Sequence, residues 1–488
     1  MAQALFTGTL WGSAKRSAVQ SLLDKLTLDL KEQNLSSQDR DAALEELKVY
    51  GRDPRDADPI FTKEGITTLL GHAFDGSSDT TSRNALRCLA NAMVLNPATK
   101  QFLFDLGYES KACAKLRNDS WDDEFLISRI LLLATYIPGI DKAALITKHG
   151  LAGSVVTRLA RHAEIPSSQV KQDPMEDMAL AETLKLLFNL GHFCPEQRGE
   201  LAPAIPSIVK MIQSRPLPAG KPLGPPFGPL VNALVDMDLQ NENAKSALFP
   251  GDAPSKPVGR MIQILDSSLS SYSENEMEAT IAPLVGVLGR IYEVAPEPEQ
   301  QFMREKLLPA EEDREQVLGS SGSLPSRLLK NSTNPLAPEL RKSISHLLFD
   351  LSGRDAMRFI ENVGYGFASG FLFSNNIEIP EGVLGAAGTG SSGAAGTSSA
   401  GKDFNPITGQ FLDSEKHSEM PPMTQEEKER EAERLFVLFE RLKKTGIVDI
   451  QNPVEKAFQE GRFEELDDDY DEEKDKKQSG DGSEGKKA

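Results

Sequence analysis

Basic residues are in short supply. The 488-residue chain sets 54 Lys and Arg against 73 Asp and Glu, a formal net charge of −19. A phosphate backbone is bound through a basic surface that releases counterions, so this balance argues against a nucleic-acid partner. Part of the charge is local: residues 464–488 carry a net −6, which leaves −13 on the rest. Cysteine is scarce as well. Cys88, Cys113 and Cys194 are too few and too scattered for a disulfide framework and read as cytosolic thiols. Aromatic residues make up only 6%. No apolar run reaches the roughly 18 residues of a membrane span. The best, FLISRILLLATYIPGI (125–140), carries Arg129 inside it. At the N-terminus, MAQALFTGTLWGSAKRS places its positive charges after the apolar residues, the reverse of a secretory signal. The expectation is a soluble, cytoplasmic protein.

Catalytic signatures are missing too. No nucleophile elbow, zincin helix or glycine-rich dinucleotide fingerprint occurs. Gly396, Gly401 and Lys402 imitate a phosphate-binding loop, but Asp403 follows where the metal-binding hydroxyl belongs, and no buried strand precedes. Low-complexity Gly/Ser sequence produces such matches by chance. His192 and Cys194 in GHFCPE lack the second pair of ligands that zinc requires and read as packing at a helix end. His72, His149, His162, His346 and His417 stand isolated. Neither catalytic residues, a metal nor a cofactor is expected.

What the chain has is helical periodicity. From about residue 15 to about residue 375 apolar residues recur at spacings of three and four. NALRCLANAMVLNPATKQFLFDLG (84–107), SRILLLATYIPGIDKAALITKHG (128–150) and ETLKLLFNLGHFCPEQRGELAPAI (182–205) look like versions of one unit. Each is an apolar helix, a proline turn and a second helix. Gly107 and Gly150 close equivalent second helices 43 residues apart, within the roughly 40–47 of armadillo and HEAT repeats. The fold class expected is all-α: a right-handed armadillo/HEAT-like helical solenoid over 1–380. PSSQVKQDPMEDM (166–178) reads as an insertion and RPLPAGKPLGPPFGP (215–229) as a long connector.

Beyond the solenoid a low-complexity flexible linker (381–420) contains GAAGTGSSGAAGTSSAG (385–401). A C-terminal amphipathic helix segment (421–462) and an acidic, disordered tail (463–488) follow. Thr424 and Glu427 form a capping-box pattern, Lys443 and Lys444 fill the last turn, and Gly446 can stop the helix. Leu435, Leu438, Phe439 and Leu442 make its apolar stripe. That stripe either docks on a partner or caps the last repeat.

Solenoids of this type leave a long concave groove lined by one helix of each repeat, suited to extended peptides or helices. Asn91, Asn189 and Asn232 each follow an apolar helical pattern, where an amide can clamp a bound backbone or cap a turn. Lys48, Arg52 and Arg341 pair with carboxylates of a ligand or are plain surface charges.

LKVYGRDPRDADPIFTKEGI, NALRCLANAMVLNPATKQF, ETLKLLFNL, RFIENVGYGFASGFL, FNPITGQF and MTQEEKEREAERLFVLFERL together, in order from about residue 40 to about residue 455, resemble the synembryn family, also called resistance to inhibitors of cholinesterase eight. The resemblance implies an armadillo/HEAT-type solenoid that acts on G-protein alpha subunits as a guanine-nucleotide exchange factor and folding chaperone. It further implies a groove that takes the alpha subunit's C-terminal helix, with Lys48, Arg52, Asn91, Asn189 and Arg341 as contacts. The 424–445 helix is then a second contact, on the nucleotide-binding domain. A monomer that reaches the inner face of the plasma membrane through the alpha subunit is expected. A peptide-binding scaffold or transport adaptor without exchange activity is the alternative. One departure from the animal members is the Gly/Ala/Ser-rich linker, where they carry an acidic, phosphorylatable stretch.

Overall fold

The computed structural model describes residues 10–76, 78–166, 173–251, 255–378, 396–397 and 403–415, together with residue 430. One compact unit runs to Glu415; of the second, 416–488, a single residue is described. The expected helix at 424–445, with Leu435, Leu438, Phe439 and Leu442, and the acidic tail lie outside the described residues.

The body is a series of helices: α1 (Gly12–Glu32), α2 (Ser37–Tyr50), α3 (Lys63–Phe74), α4 (Asp79–Leu95), α5 (Phe102–Asp105), α6 (Glu109–Lys115) and α7 (Trp121–Thr135). They continue as α8 (Lys142–Thr147), α9 (Leu151–Glu164), α10 (Pro174–Phe193), α11 (Arg198–Leu201), α12 (Ile205–Ser214), α13 (Phe227–Val235) and α14 (Glu242–Leu248). The last are α15 (Lys256–Ser271), α16 (Glu274–Val294), α17 (Glu297–Leu307), α18 (Leu324–Asn331), α19 (Pro338–Leu351), α20 (Ala356–Val363) and α21 (Tyr365–Ser374). Local sequence starts many of them. The side chains of Ser36, Thr62, Ser78 and Ser120 each accept the N–H three residues on, satisfying donors that a helix start leaves unbonded. Ser273 and Glu276 make a reciprocal capping box at α16.

From α5 onward the helices fall into triplets: α5–α7, α8–α10, α11–α13, α14–α16 and α17–α19. The third helices stack in one continuous row, α2 on α4, then α7, α10, α13, α16 and α19 in turn. The second helices make a parallel row through α6, α9, α12, α15 and α18, with α1 against α3 at the start. This is an armadillo-type solenoid, and its apolar cluster runs unbroken from Val19 to Leu372 between the rows. Gly107 and Gly150 both turn the chain from a first helix into a second, at φ +73° and +68°. A left-handed residue ends the short first helix, and only glycine adopts that conformation without strain.

At the α7/α9/α10/α12 junction the core is charged. His162 faces Glu124 through Nε2 at 2.9 Å and Glu176 through Nδ1 at 2.5 Å, with all three side chains buried. Arg158 Nε donates to Glu124 at 2.6 Å and Arg215 Nη2 to Glu176 at 2.6 Å. The Thr183 hydroxyl donates to Glu124 at 2.7 Å. Trp121 stacks on the imidazole at 4.6 Å and lies beneath Arg158 and Arg161. An imidazole donates from both nitrogens only when protonated. The sequence shows His162 as isolated because its partners lie 38 and 14 residues away.

The body does not end with α21. Residues 403–415, which the sequence reading assigns to the linker, return and pack on the last repeat as a strap. Leu318, Tyr365 and Gly366 give their N–H groups to Thr408, Pro406 and Ile407, at 3.2, 2.8 and 3.1 Å. Buried Arg314 donates to the carbonyls of Gly409, Glu361 and Asn362 and lies over the ring of Phe404. Phe404 and Phe411 are 2% and 3% exposed. Ahead of the strap, Gly396–Thr397 pairs antiparallel with Asp403–Phe404, so Gly396 and Asp403 of the apparent phosphate loop sit in a small hairpin.

Two predictions follow from these contacts. Burial is the largest influence on His162 and pushes it toward neutrality, but its bonds to Glu124 and Glu176 outweigh burial and raise it above its ordinary 6.5. Its contribution to stability is therefore complete below about pH 6.5 and is lost as pH rises through the higher folded value. Burial likewise raises Glu124 and Glu176, and their bonds to His162 with its flanking cations win, lowering both from 4.5. Their contribution fades as pH falls. Melting temperature against pH peaks between these limits, and His162→Ala, which leaves two buried carboxylates facing each other, costs about 3–5 kcal/mol and removes the alkaline decline. Separately, truncation after residue 402 lowers the melting temperature by several degrees more than truncation after Glu415, since only the former removes the strap.

Candidate functional site

The third-helix row is where the sequence places the groove, and its side chains divide into two kinds. Within the row, charges pair across neighbouring repeats. Arg83 of α4 meets Asp123 of α7 at 2.8 Å, and Arg87 meets Asp122 at 3.1 Å. Arg129 of α7 meets Glu182 of α10 at 3.1 Å, and Lys185 joins the same carboxylate at 2.9 Å. His192 and Arg198 converge on Asp236, just beyond α13, at 3.1 and 3.0 Å. Arg290 of α16 caps the end of α13 by donating to the carbonyls of Leu234, Val235 and Met237. Most of these are inter-repeat ties; Lys185–Glu182 lies within α10 and Arg198–Asp236 within the α11–α13 triplet. Burial raises Glu182, but the cations around it prevail and hold it below 4.5.

At the two ends of the row lie cations without such ties. Arg52 follows α2 in a loop held by Lys15, whose buried ammonium donates to the Asp53 and Arg55 carbonyls at 2.9 and 2.6 Å. The Arg52 side chain is exposed and has no partner among the described residues. At the far end Arg341 and Lys342, both exposed on α19, border a cavity of about 820 Å³ with His346 and hydroxyls of α19 and α21. Lys48 is less available, half-buried and bonded to Glu45 at 2.7 Å.

The three asparagines separate. Asn91 and Asn189 each stand four residues before the end of their helix. Asn91 is half-buried on α4 and Asn232 exposed on α13. Asn189 is 5% exposed, and its amide donates to the Thr135 hydroxyl at 2.8 Å. It ties α10 to α7 and presents little to a ligand. His192 and Cys194 do not converge: the imidazole is exposed and bonds Asp236, whereas the thiol is buried. Cys88 and Cys113 are buried free thiols pushed up to about 12 by desolvation.

A sequence model of the family described as guanine nucleotide exchange factor synembryn matches residues 43–462. The Schizosaccharomyces pombe synembryn-like chaperone is 24% identical over 307 residues, covering 60% of this chain and 57% of that protein. The Ric-8A chaperones of Macaca fascicularis and Danio rerio are 22% and 23% identical; each match covers 87% of this chain, and 85% and 84% of theirs. A designed armadillo repeat protein superposes with a TM-score of 0.34 at 14% identity, over 69% of this chain and 99% of its own.

The split between tied and free asparagines is measurable by urea unfolding. Asn189→Ala, which removes the donor to a buried hydroxyl, costs about 1–3 kcal/mol. Asn232→Ala, at an exposed position, stays within about 0.5 kcal/mol. Equal effects at the two sites would remove the distinction.

Proposed function

The chain belongs to the synembryn family of guanine nucleotide exchange factors, and we propose that it is an exchange factor and folding chaperone for heterotrimeric G-protein alpha subunits. The reading rests most heavily on one observation. Arg83, Arg87 and Arg129 inside the third-helix row are engaged between repeats, while Arg52 at one end and Arg341 with Lys342 at the other are not. A row of this length, closed in the middle and cationic at its ends, suits a partner's C-terminal helix, with a carboxylate held by Arg52. Asn91 and Asn232 would bond the partner's backbone, and the 424–445 helix would supply a second contact. The partner's release of GDP is the chemistry; this chain contributes binding.

Exchange then follows from linkage. If the protein binds the nucleotide-free alpha subunit a hundredfold more tightly than the GDP-bound form, GDP binding weakens by the same factor, about 2.7 kcal/mol. Drawing the last helix of the partner into the groove loosens its packing against the nucleotide pocket, and GTP rebinding competes the complex apart. The same preference for an open alpha subunit makes the protein a holdase for newly made chains, by mass action on the state it binds. It works as a cytoplasmic monomer that meets the membrane through its partner.

Release of fluorescent GDP from a purified alpha subunit tests this. The protein accelerates release, and Arg52→Glu reduces the acceleration at least tenfold while leaving the melting temperature unchanged. Binding without acceleration would leave a scaffold or chaperone and remove exchange.

A further inference from the structure

One stretch of the third-helix row breaks its pattern. On α4, α7 and α10 the open face carries Arg87, Arg129 and Lys185, long side chains, the first two tied across repeats and the third bonded to Glu182 on its own helix. On α16 the corresponding stripe is Ala279, Ala282, Pro283 and Gly286. The other α16 side chains lining the cavity are Asn275 and Glu278. A cavity of about 680 Å³ opens above it, walled by Val235 of α13 and by Leu336 and Glu339 at the start of α19. Leu336 is 60% exposed.

Two features say that the space is not simply unfilled core. Gly286 is exposed in mid-helix, and a methyl group built on it meets nothing within 4 Å. Alanine would fit there and would favour the helix, since glycine is the costliest ordinary residue in a helix interior. The polar groups around the slot, moreover, are acceptors left over. Glu278 lines the cavity and forms no ion pair among the described residues. Glu339 faces the same cavity and forms no ion pair among the described residues. Pro283, lacking an N–H, cannot give the Ala279 carbonyl its usual helical bond. A smooth floor with two carboxylates and a spare carbonyl calls for an aliphatic group accompanied by a cation.

We propose that this slot is a subsite of the partner groove: it admits an aliphatic side chain from a helix of the alpha subunit at close backbone approach, with a lysine or arginine one turn away held by Glu278 and Glu339. The inference rests on the groove reading above, and Gly286 is its specificity-determining residue.

The test uses the full chain, a fluorescent peptide of the alpha subunit's last helix, and the GDP-release assay. Gly286→Ala and Gly286→Leu both fold, with melting temperatures equal to or above the parent. Gly286→Leu weakens peptide binding and GDP release at least tenfold, and Gly286→Ala a few-fold. Joint replacement Glu278→Gln and Glu339→Gln weakens the peptide about tenfold, and much less when the peptide's basic residues are changed to methionine. If Gly286→Leu leaves binding within twofold while Arg52→Glu abolishes it, the groove stands and the slot is refuted. If neither substitution alters binding, the groove reading itself fails. A fall in the melting temperature of Gly286→Ala would show that the glycine serves the fold, and would likewise overturn the proposal.

Discussion

The arrangement depends on a charge buried where a solenoid can least dispense with alignment. No repeat in such an array is wrapped by the others; each is held only by its neighbours. At the α7/α9/α10/α12 junction apolar contact, which has no direction of its own, does little to set the register. The imidazolium of His162 between Glu124 and Glu176 does it instead. Burying such a group is a weak route to stability, because desolvation offsets most of the Coulombic gain. Its value is directional. Carboxylates from α7 and α10 reach one ring from α9 in a single relative placement, and with that placement the Asn189–Thr135 bond and the Arg129–Glu182 pair fall into line.

That alignment decides which charges are left for other uses. With 54 cationic side chains against 73 acidic ones, unpaired arginine on the groove row is rare by composition alone. Most of it is tied across repeats, so the exceptions at Arg52 and Arg341 stand out against the row between them. On the reading proposed above, specificity in the groove is set as much by what is absent, the short stripe of α16, as by what projects.

Much of this was legible in the sequence, unevenly. Apolar periodicity marks helices, and the Gly107-to-Gly150 spacing marks the repeat, because both express local backbone constraints. Site residues divide differently. Arg52 is recognisable as an exposed cation near a helix end. Asn189 reads like Asn91, since each follows an apolar run and the difference lies in Thr135, 54 residues away. His162 looks solitary for the same reason. The strap was missed because Phe404 and Phe411 lie beyond Gly/Ser sequence, where composition speaks for flexibility and two buried rings are too few to alter it.

The strap has a consequence for reach. A body ending at residue 378 would separate the last packed residue from residue 424 by 46 residues of sequence. Packing through Glu415 shortens that separation along the sequence to nine residues. Intramolecular encounter strengthens as a tether shortens toward the span it must cover. The packed phenylalanines of the strap thus act on whatever follows them as a setting of local concentration.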